Sequence, residues 1–214
     1  MCPDATIINF LANCSYPGDA KIQSEREWLN GPVHESVHSF GNYKRFNYFL
    51  AHDYYQQHKL KSINFIVPST FGPGDHIDPN KVHALDGMII RMIKAQRAHE
   101  PTFEIWGTGQ PIREWLYVND LIRLILKAID FNEPIIYPVN LGQNKGYSIE
   151  ESARLIAKAL NYNGKITFNT AYQDGAPIKI LNSSEFRKLF PNFQFSSHEE
   201  CIRRTVEYYL TTIN

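Results

Sequence analysis

Short apolar runs and helical repeats follow one another along the chain and predict alternating strands and helices. Residues 5–12 (ATIINFLA) are apolar and β-branched, which predicts a strand inside a parallel sheet, buried on both faces. Residues 35–59 lack proline and repeat aromatic residues at helical spacing, which predicts a long helix. Residues 62–67 (SINFIV) predict a second buried strand. A strand, a helix and a strand of these lengths form a βαβ crossover, so a parallel sheet is expected.

The alternation continues after a turn at residues 72–75 (GPGD). Ser148, with Glu151 three residues later, is a capping box that predicts a helix. Asn119 or Asp120 is expected to cap a buried helix. Strands are predicted over residues 102–106, 113–118, 138–141 and 165–169, and helices over residues 84–93, 119–130, 148–160 and 202–213. This order predicts an α/β fold throughout.

Composition and charge exclude several classes of protein. The chain has 214 residues with 22 lysines and arginines and 22 aspartates and glutamates, so there is no global field to attract nucleic acid or an anionic membrane. No apolar run approaches the roughly 18–20 residues that cross a bilayer. Cys2, Cys14 and Cys201 have no motif spacing, and the histidines lack the spacing of metal ligands. A cytoplasmic protein without disulfides or a metal site is therefore expected.

Six stretches in the same order resemble the extended short-chain dehydrogenase/reductase family, and in particular its nucleotide-sugar epimerases and reductases. They are residues 13–17 (NCSYP), 40–44 (FGNYK), 68–75 (PSTFGPGD), 106–120 (WGTGQPIREWLYVND), 139–142 (VNLG) and 174–179 (DGAPIK). The resemblance implies the C-terminal part of a Rossmann-type parallel sheet together with a small α/β substrate-binding lobe.

The resemblance also implies how the domains divide. Residues 1–70 would form a partial Rossmann-like portion with the catalytic loop. Residues 71–214 would form mostly the substrate lobe, with about 110–145 returning to the sheet. The family's Gly-rich turn, which holds the pyrophosphate of NAD or NADP, does not occur in this sequence, and Gly107-Thr-Gly109 is interpreted as a simple turn. The first four strands of the family fold are therefore expected to be missing, and cofactor binding by this chain alone is an open question.

Family members perform hydride chemistry with a Tyr-x-x-x-Lys pair on the long helix. Lys44 matches the lysine, but Phe40 stands at the tyrosine position and has no proton to give. Tyr43 does not replace it, since adjacent helical side chains point apart. Lys44 and Pro68 are the positions expected beside the cofactor. A solvated surface role for Lys44 is the alternative.

The family serine falls on Ala12 when the alignment has no gap, and on Ser15 when it has one. The resemblance implies that Cys14 and His83 exchange protons with a keto-sugar during epimerisation. A thiol and an imidazole suit that chemistry. The alternatives are a core role for Cys14 and a helix cap for His83.

Five residues are implied in substrate binding. They are Arg91, Trp106, Arg113, Asp174 and Lys179. Arginine and lysine match a nucleotide diphosphate, because they offer cationic donors to its phosphates. For Arg113 the alternative is a surface pair with Glu114 or Asp120, which would contribute little.

Three functions remain open from the sequence. The first is an NDP-hexose epimerase or reductase, with a GDP-linked 4-keto sugar as the expected substrate and catalytic Cys14, Ser15, Lys44 and His83. The second is a catalytically degenerate, non-enzymatic partner of a full-length relative. A simple sugar-nucleotide binding module is a third possibility. Expected partners are a second copy, through residues 35–59, or a separate chain that supplies the missing half. The apolar residues of that helix would equally suit packing against the sheet.

Overall fold

A computed structural model describes residues 5–20 and 23–213, and the chain divides into two compact units. The first unit consists of residues 1–69, 120–145 and 179–194. The second unit consists of residues 70–119, 146–178 and 195–214. Cys2 lies outside the described residues.

The elements alternate as an α/β chain. The strands are β1 (Thr6–Ala12), β2 (Lys61–Val67), β3 (Ser69–Phe71), β4 (Thr102–Trp106), β5 (Ile112–Arg113), β6 (Trp115–Tyr117), β7 (Ile135–Asn140), β8 (Tyr147–Ser148), β9 (Lys165–Asn169) and β10 (Ile178–Lys179). The helices are α1 (His38–His58), α2 (Ala84–Arg97), α3 (Val118–Ile129), α4 (Ile149–Leu160), α5 (Ser184–Leu189) and α6 (His198–Thr212). The α/β prediction is confirmed. No helix among the described residues is long and apolar enough to span a bilayer.

The first unit contains a parallel three-stranded sheet in the order β1–β2–β7. The predicted βαβ crossover is confirmed, since α1 connects the two parallel strands β1 and β2. β2 is central, and its residues 62–66 are all buried. The prediction that β1 lies inside the sheet, buried on both faces, is wrong for the described chain. β1 pairs with β2 alone and buries only Leu11 fully, because no described strand covers its other edge.

α1 confirms the predicted long helix, after a 3-10 turn at Glu35–Val37. Its last turn closes at Lys59, which has a left-handed backbone with φ of 54°. Gly41 is required where the helix meets the loop after β1, because a Cβ there would lie 2.8 Å from the Cys14 carbonyl oxygen. Six large apolar side chains of α1 keep about half of their surface exposed: Phe40, Tyr43, Phe46, Phe49, Leu50 and Tyr54.

The second unit is built around α2, α4 and α6, which pack on one another over one apolar core. Its strands form the parallel pair β4–β9, the pair β3–β6 and the antiparallel pair β5–β8. The predicted capping box is confirmed: Glu151 N donates to Ser148 Oγ over 3.0 Å, and Ser148 N donates to Glu151 Oε2 over 2.7 Å. The predictions for α2, β4, β9 and α6 are also confirmed within a few residues.

α3 differs from its prediction in two ways. It begins at Val118, directly after β6, so Asn119 and Asp120 lie inside its first turn instead of capping it. Asp120 accepts a hydrogen bond from Arg123 one turn later, at 2.8 Å. The helix is also not buried throughout, because Ile122, Leu126 and Ile129 are exposed.

Two strand predictions were also wrong in their bounds. The strand predicted over residues 113–118 is divided into β5 and β6 at Glu114, which is buried. β7 begins at Ile135, three residues before the predicted start, and ends at Asn140.

Candidate functional site

Cys14 lies in a one-turn 3-10 helix, Asn13–Ser15, directly after β1. Its thiol is half-buried, so it is not a fully enclosed core residue. Burial raises the pKa of the Cys14 thiol, while the positive charges of Lys179 and Lys44 act in the opposite direction. The first unit therefore places this thiol in the field of two lysines that the sequence had separately singled out.

The hydroxyl of Ser15 is fully enclosed by the same loop. It donates to the Ala12 carbonyl over 2.5 Å and accepts from the indole nitrogen of Trp28 over 2.7 Å. Arg45 fixes the loop further by donating to the carbonyl oxygens of Ser15 and Trp28 at 2.7 and 2.9 Å. This geometry favours a structural role for Ser15, because both hydroxyl functions are already used.

Lys44 is half-buried on α1, and its ammonium donates to the Phe10 carbonyl of β1 over 2.7 Å. The ammonium lies 5.3 Å from the centre of the Phe40 ring, one turn earlier, and 5.9 Å from the ring of Tyr43. Lys44 is therefore anchored to the sheet and is not freely solvated. Pro68 is buried immediately after β2.

His83 occupies the N-cap position of α2, but its side chain makes no capping hydrogen bond. Its Nδ1 instead lies 3.0 Å from both carboxylate oxygens of Asp75, and its backbone N–H donates to Asp75 Oδ2 over 2.8 Å. Burial by itself would raise the pKa of Asp75. Hydrogen bonds from the backbone N–H groups of His83 and His76 outweigh this effect, so the pKa is lowered. The imidazole is largely exposed, whereas the carboxylate is mostly covered. A covered carboxylate thus holds an accessible imidazole at its Nδ1.

Arg91 and Trp106 form one cluster at the end of β4. The Arg91 guanidinium lies 5.1 Å from the ring centres of both Phe103 and Trp106. Trp106 stacks in turn on Tyr172, with ring centroids 5.0 Å apart and an interplanar angle of 21°. Both rings are about half exposed. The cluster presents a cation and flat aromatic surface to solvent, which suits a heterocyclic base or a sugar.

Asp174 joins this cluster through the turn after β4. Its carboxylate accepts from Thr108 N at 3.0 Å and from Thr108 Oγ1 at 2.6 Å. Gly107 must be glycine here, since it has φ of 83° and a Cβ would lie 2.2 Å from Asp174 Oδ1. The interpretation of residues 107–109 as a turn is confirmed, and Asp174 itself holds that turn.

Arg113 lies beside the same loop. Its Nη1 donates to the Ala176 carbonyl over 2.7 Å and to its own neighbour Ile112 over 2.8 Å. Burial lowers the pKa of Arg113, while the charge of Asp174 acts in the opposite direction. Lys179, half-buried in β10, belongs to the first unit, where its charge acts on Cys14.

Sequence reasoning missed three residues of these sites. They are Asp75, Thr108 and Tyr172. Asp75 ends the GPGD turn that the sequence had marked, and Thr108 and Tyr172 lie within or next to marked stretches. The described residues contain no group of three or more side chains suited to a metal ion.

The fold is that of an α/β protein with a parallel sheet joined by a crossover helix. A sequence profile of the NAD dependent epimerase/dehydratase family matches residues 3–142, so the chain belongs to this family. It is 28% identical over 214 residues to a probable GDP-L-fucose synthase of Drosophila melanogaster, covering 95% of the chain and 66% of the relative. It is 26% identical to the GDP-L-fucose synthase of Escherichia coli, covering 87% of the chain and 61% of that protein.

Solved structures agree with the sequence relatives. A GDP-L-fucose synthetase from Naegleria fowleri, bound to NADP, matches with a TM-score of 0.90 and 28% identity. That match covers 97% of this chain and 66% of the Naegleria chain. The chain thus spans less than two thirds of the length of these relatives.

The residues present fit a nicotinamide cofactor only in part. Lys44 is anchored beside β1, but Phe40 offers no hydroxyl and no Gly-rich turn occurs in the sequence. The described residues therefore lack a complete cofactor site.

Proposed function

We propose that this chain is the catalytic-loop and substrate-binding part of a nucleotide-sugar epimerase, acting on a GDP-linked 4-keto hexose by proton transfer at the sugar ring. The observation that carries the proposal is the Asp75–His83 pair. Its accessible imidazole is held at Nδ1 by a covered carboxylate whose pKa is lowered. That is the arrangement of a general base with its orienting group.

The proposed chemistry balances without a hydride. With Nδ1–H donated to Asp75, the Nε2 of His83 accepts the proton on the carbon next to the keto group, and the electron pair moves onto the keto oxygen as an enolate. Return of a proton to the other face of that carbon inverts it. Cys14 is the proposed second proton carrier, supported by the lysine charges that oppose the burial of its thiol. Ser15 is left out, because its hydroxyl is already bonded on both sides.

The substrate class rests on the cluster at the end of β4 and on the family. The stacked Trp106–Tyr172 rings and Arg91 suit the base or the sugar, and Arg113 and Lys179 suit the diphosphate. The guanine nucleotide is proposed because the sequence relatives cited above carry GDP-L-fucose synthase names.

Deuterium incorporation from solvent tests this function directly. The chain is incubated with a GDP-4-keto-6-deoxyhexose in D₂O, and mass spectrometry follows exchange at the carbons next to the keto group. We expect exchange that His83→Gln slows by about 10²-fold or more, in the range of a general-base contribution. Cys14→Ser is expected to remove exchange at one position or to slow epimerisation.

His58→Gln, in the exposed last turn of α1, is the control and is expected to leave exchange unchanged. Calorimetric titration with GDP and with the GDP-sugar runs in parallel. Absence of both binding and exchange in the folded chain would refute the proposal.

A second candidate, a catalytically degenerate partner of a full-length relative, is favoured by Phe40. This ring stands over the Lys44 ammonium where the family resemblance calls for a tyrosine hydroxyl. The Phe40→Tyr variant tests this candidate through its reductase activity. If the variant gains NAD(P)H oxidation with the keto-sugar, the chain has a degenerate reductase site that is otherwise intact. If wild type and Phe40→Tyr both bind the GDP-sugar but neither exchanges its protons nor turns it over, the role of a non-enzymatic partner is supported.

We further propose that a cofactor-binding half covers the open edge of β1. Two observations support this. Among the described residues β1 pairs with one strand, and a groove of about 300 Å³ lies beside it, lined by residues that include Ile7, Leu50 and Tyr54. Mixing the chain with the part of a full-length relative that it does not match is expected to slow amide exchange along β1. Unchanged exchange in β1, with the added half folded, counts against this partner.

A further inference from the structure

A carboxylate that the proposed function does not use lies in the core of the second unit. Asp86, in the first turn of α2, is completely buried. Its Oδ1 accepts from the Tyr209 hydroxyl of α6 over 3.1 Å and from the Gly72 backbone N–H over 3.2 Å, and its Oδ2 lies 3.4 Å from the same N–H. Both donors are neutral. A buried carboxylate with neutral donors is costly, so its presence calls for a role beyond packing.

Asp86 closes one end of the loop between β3 and α2, and Asp75 closes the other. Gly72 begins that loop with φ of 135°, and a Cβ there would lie 2.6 Å from Val118. Three residues later, Asp75 accepts from the His83 backbone N–H that starts α2. The loop is thus fixed to the helix at its first residue by Asp86 and at its last by Asp75.

Charged and titratable neighbours of Asp86 come from each element that faces it. Burial raises the pKa of Asp86 most, and the hydrogen bonds from Gly72 and from Tyr209 of α6 act against it. Asp75 in the loop adds a smaller upward effect, and His83 at the start of α2 a smaller downward one. Tyr209 is fully buried, and burial together with the Asp86 charge raises the pKa of its phenol. The raised pKa favours the protonated phenol, which donates to the Asp86 carboxylate.

We propose that Asp86, held by Tyr209, is a positioning residue for His83: it anchors Gly72 and so sets the loop that presents Asp75 to the imidazole. This inference rests on the proposed function of His83. Asp86 does not touch the substrate. It acts by keeping the Asp75 carboxylate against Nδ1, so that the proton stays on Nδ1 and Nε2 remains the accepting nitrogen.

The tautomer of His83 tests the proposal without any substrate. Long-range ¹H–¹⁵N spectra of the ¹⁵N-histidine-labelled chain report it, with His83→Gln assigning the signal. We expect the neutral wild-type ring to carry its proton on Nδ1. In Asp86→Asn and in the milder Tyr209→Phe, we expect a second tautomer or a doubled signal, as in Asp75→Asn.

Thr205→Val is the matched control, because Thr205 is fully buried on α6 and its hydroxyl donates to the Cys201 carbonyl of the same helix over 2.7 Å. It is expected to lower stability and leave the His83 tautomer unchanged. If Asp86→Asn does not fold, Tyr209→Phe decides. A single Nδ1–H tautomer in the folded Asp86 or Tyr209 variant, identical to wild type, overturns the proposal.

Activity separates this inference from the proposed function. If exchange into the GDP-sugar occurs, Asp86→Asn is expected to lower kcat about tenfold with little change in KM. If no exchange occurs in any form, the proposed function fails while the tautomer still reports whether Asp86 positions His83.

Discussion

The indole of Trp106 lies almost parallel to the phenol ring of Tyr172, at a centroid distance of 5.0 Å and an angle of 21°. One face of this stacked pair is supported by Arg91, whose guanidinium lies 5.1 Å from the indole centre. Both rings keep about half of their surface in solvent. The exposed surface of the pair is large enough for another flat group to stack on it.

Replacing Tyr172 with alanine is therefore expected to weaken nucleotide binding. Loss of one stacking partner costs on the order of 1–2 kcal/mol, or about a tenfold increase in Kd for GDP. Calorimetry measures Kd, and Trp106 fluorescence reports the change at the site. Tyr137→Ala, a more exposed tyrosine in the first unit, is the control and is expected to leave Kd unchanged. Equal loss in both variants would contradict a specific role for the stacked pair.

Gly107 and Gly175 form a matched pair for testing the turn that Asp174 holds. Gly107→Ala places a Cβ 2.2 Å from Asp174 Oδ1 at a φ of 83°, so we expect the Asp174–Thr108 bonds to break. The expected cost is on the order of 1–3 kcal/mol in the free energy of unfolding, measured with urea. At Gly175 the nearest atom to a Cβ is the flexible end of Arg113, 3.3 Å away, so Gly175→Ala is expected to be tolerated. Similar losses in both variants would refute the explanation.

Hydrophobic periodicity was enough to predict burial for a strand such as β2, which has described strands on both sides. The burial of Ile63, Phe65 and Ile66 in β2 follows from hydrophobic patterning, whereas Asn64 is buried with its amide donating to Ser62 Oγ and the Ile135 carbonyl. β1 has an equally apolar run but is an edge strand among the described residues. The burial of a strand depends on the strands that pair with it, and its own sequence does not specify them. The caps predicted for α3 were wrong because the helix starts directly after β6. The Asp120 carboxylate accepts a hydrogen bond from Arg123 and does not cap the helix.

The candidate site was predictable only as separate pieces. Arg91, Trp106, Arg113 and Asp174 were named from the sequence, and the structure brings all four into the second unit. Their connections could not be predicted, because Asp174 meets Thr108 across 66 residues of sequence and Trp106 meets Tyr172 across a similar span. Asp86 was missed because an aspartate in the first turn of a helix is normally an exposed residue at the positive end of the helix dipole.

The exposed face of α1 predicts an association of two copies. Phe46 and Leu50 are one turn apart, and each is about half exposed, as is common at helical interfaces. Phe46→Glu with Leu50→Glu is expected to convert a dimer to a monomer in light scattering. Ile122→Glu with Leu126→Glu adds the same charge to another exposed apolar helix, α3, and is expected to leave the mass unchanged. A wild-type chain that is monomeric at high micromolar concentration would disprove the association.

Asp86 also predicts an unusual dependence of stability on pH. Burial raises the pKa of this carboxyl from 3.8 to about 6 in the folded chain. Between these values the folded state holds a proton that the unfolded state has released, so the free energy of unfolding falls as the pH rises. The stabilising contribution is complete below about pH 4 and lost above about pH 6. A shift of about two units corresponds to roughly 3 kcal/mol as an upper bound.

Asp86→Asn removes this titration, since an amide is neutral throughout. Relative to wild type, we expect the variant to gain on the order of 2–3 kcal/mol of unfolding free energy between pH 4 and pH 8, measured by urea unfolding at each pH. Asp130→Asn is the control, because Asp130 is an exposed carboxylate directly after α3. Its free energy of unfolding is expected to differ from that of wild type by the same amount at pH 4 and at pH 8. Above pH 6, Asp86→Asn is expected to be more stable than wild type. If it also loses the fixed His83 tautomer, the chain keeps the destabilising Asp86 charge because that charge positions His83. A difference between Asp86→Asn and wild type that does not change with pH would mean that Asp86 is ionised in the folded chain at all of these pH values.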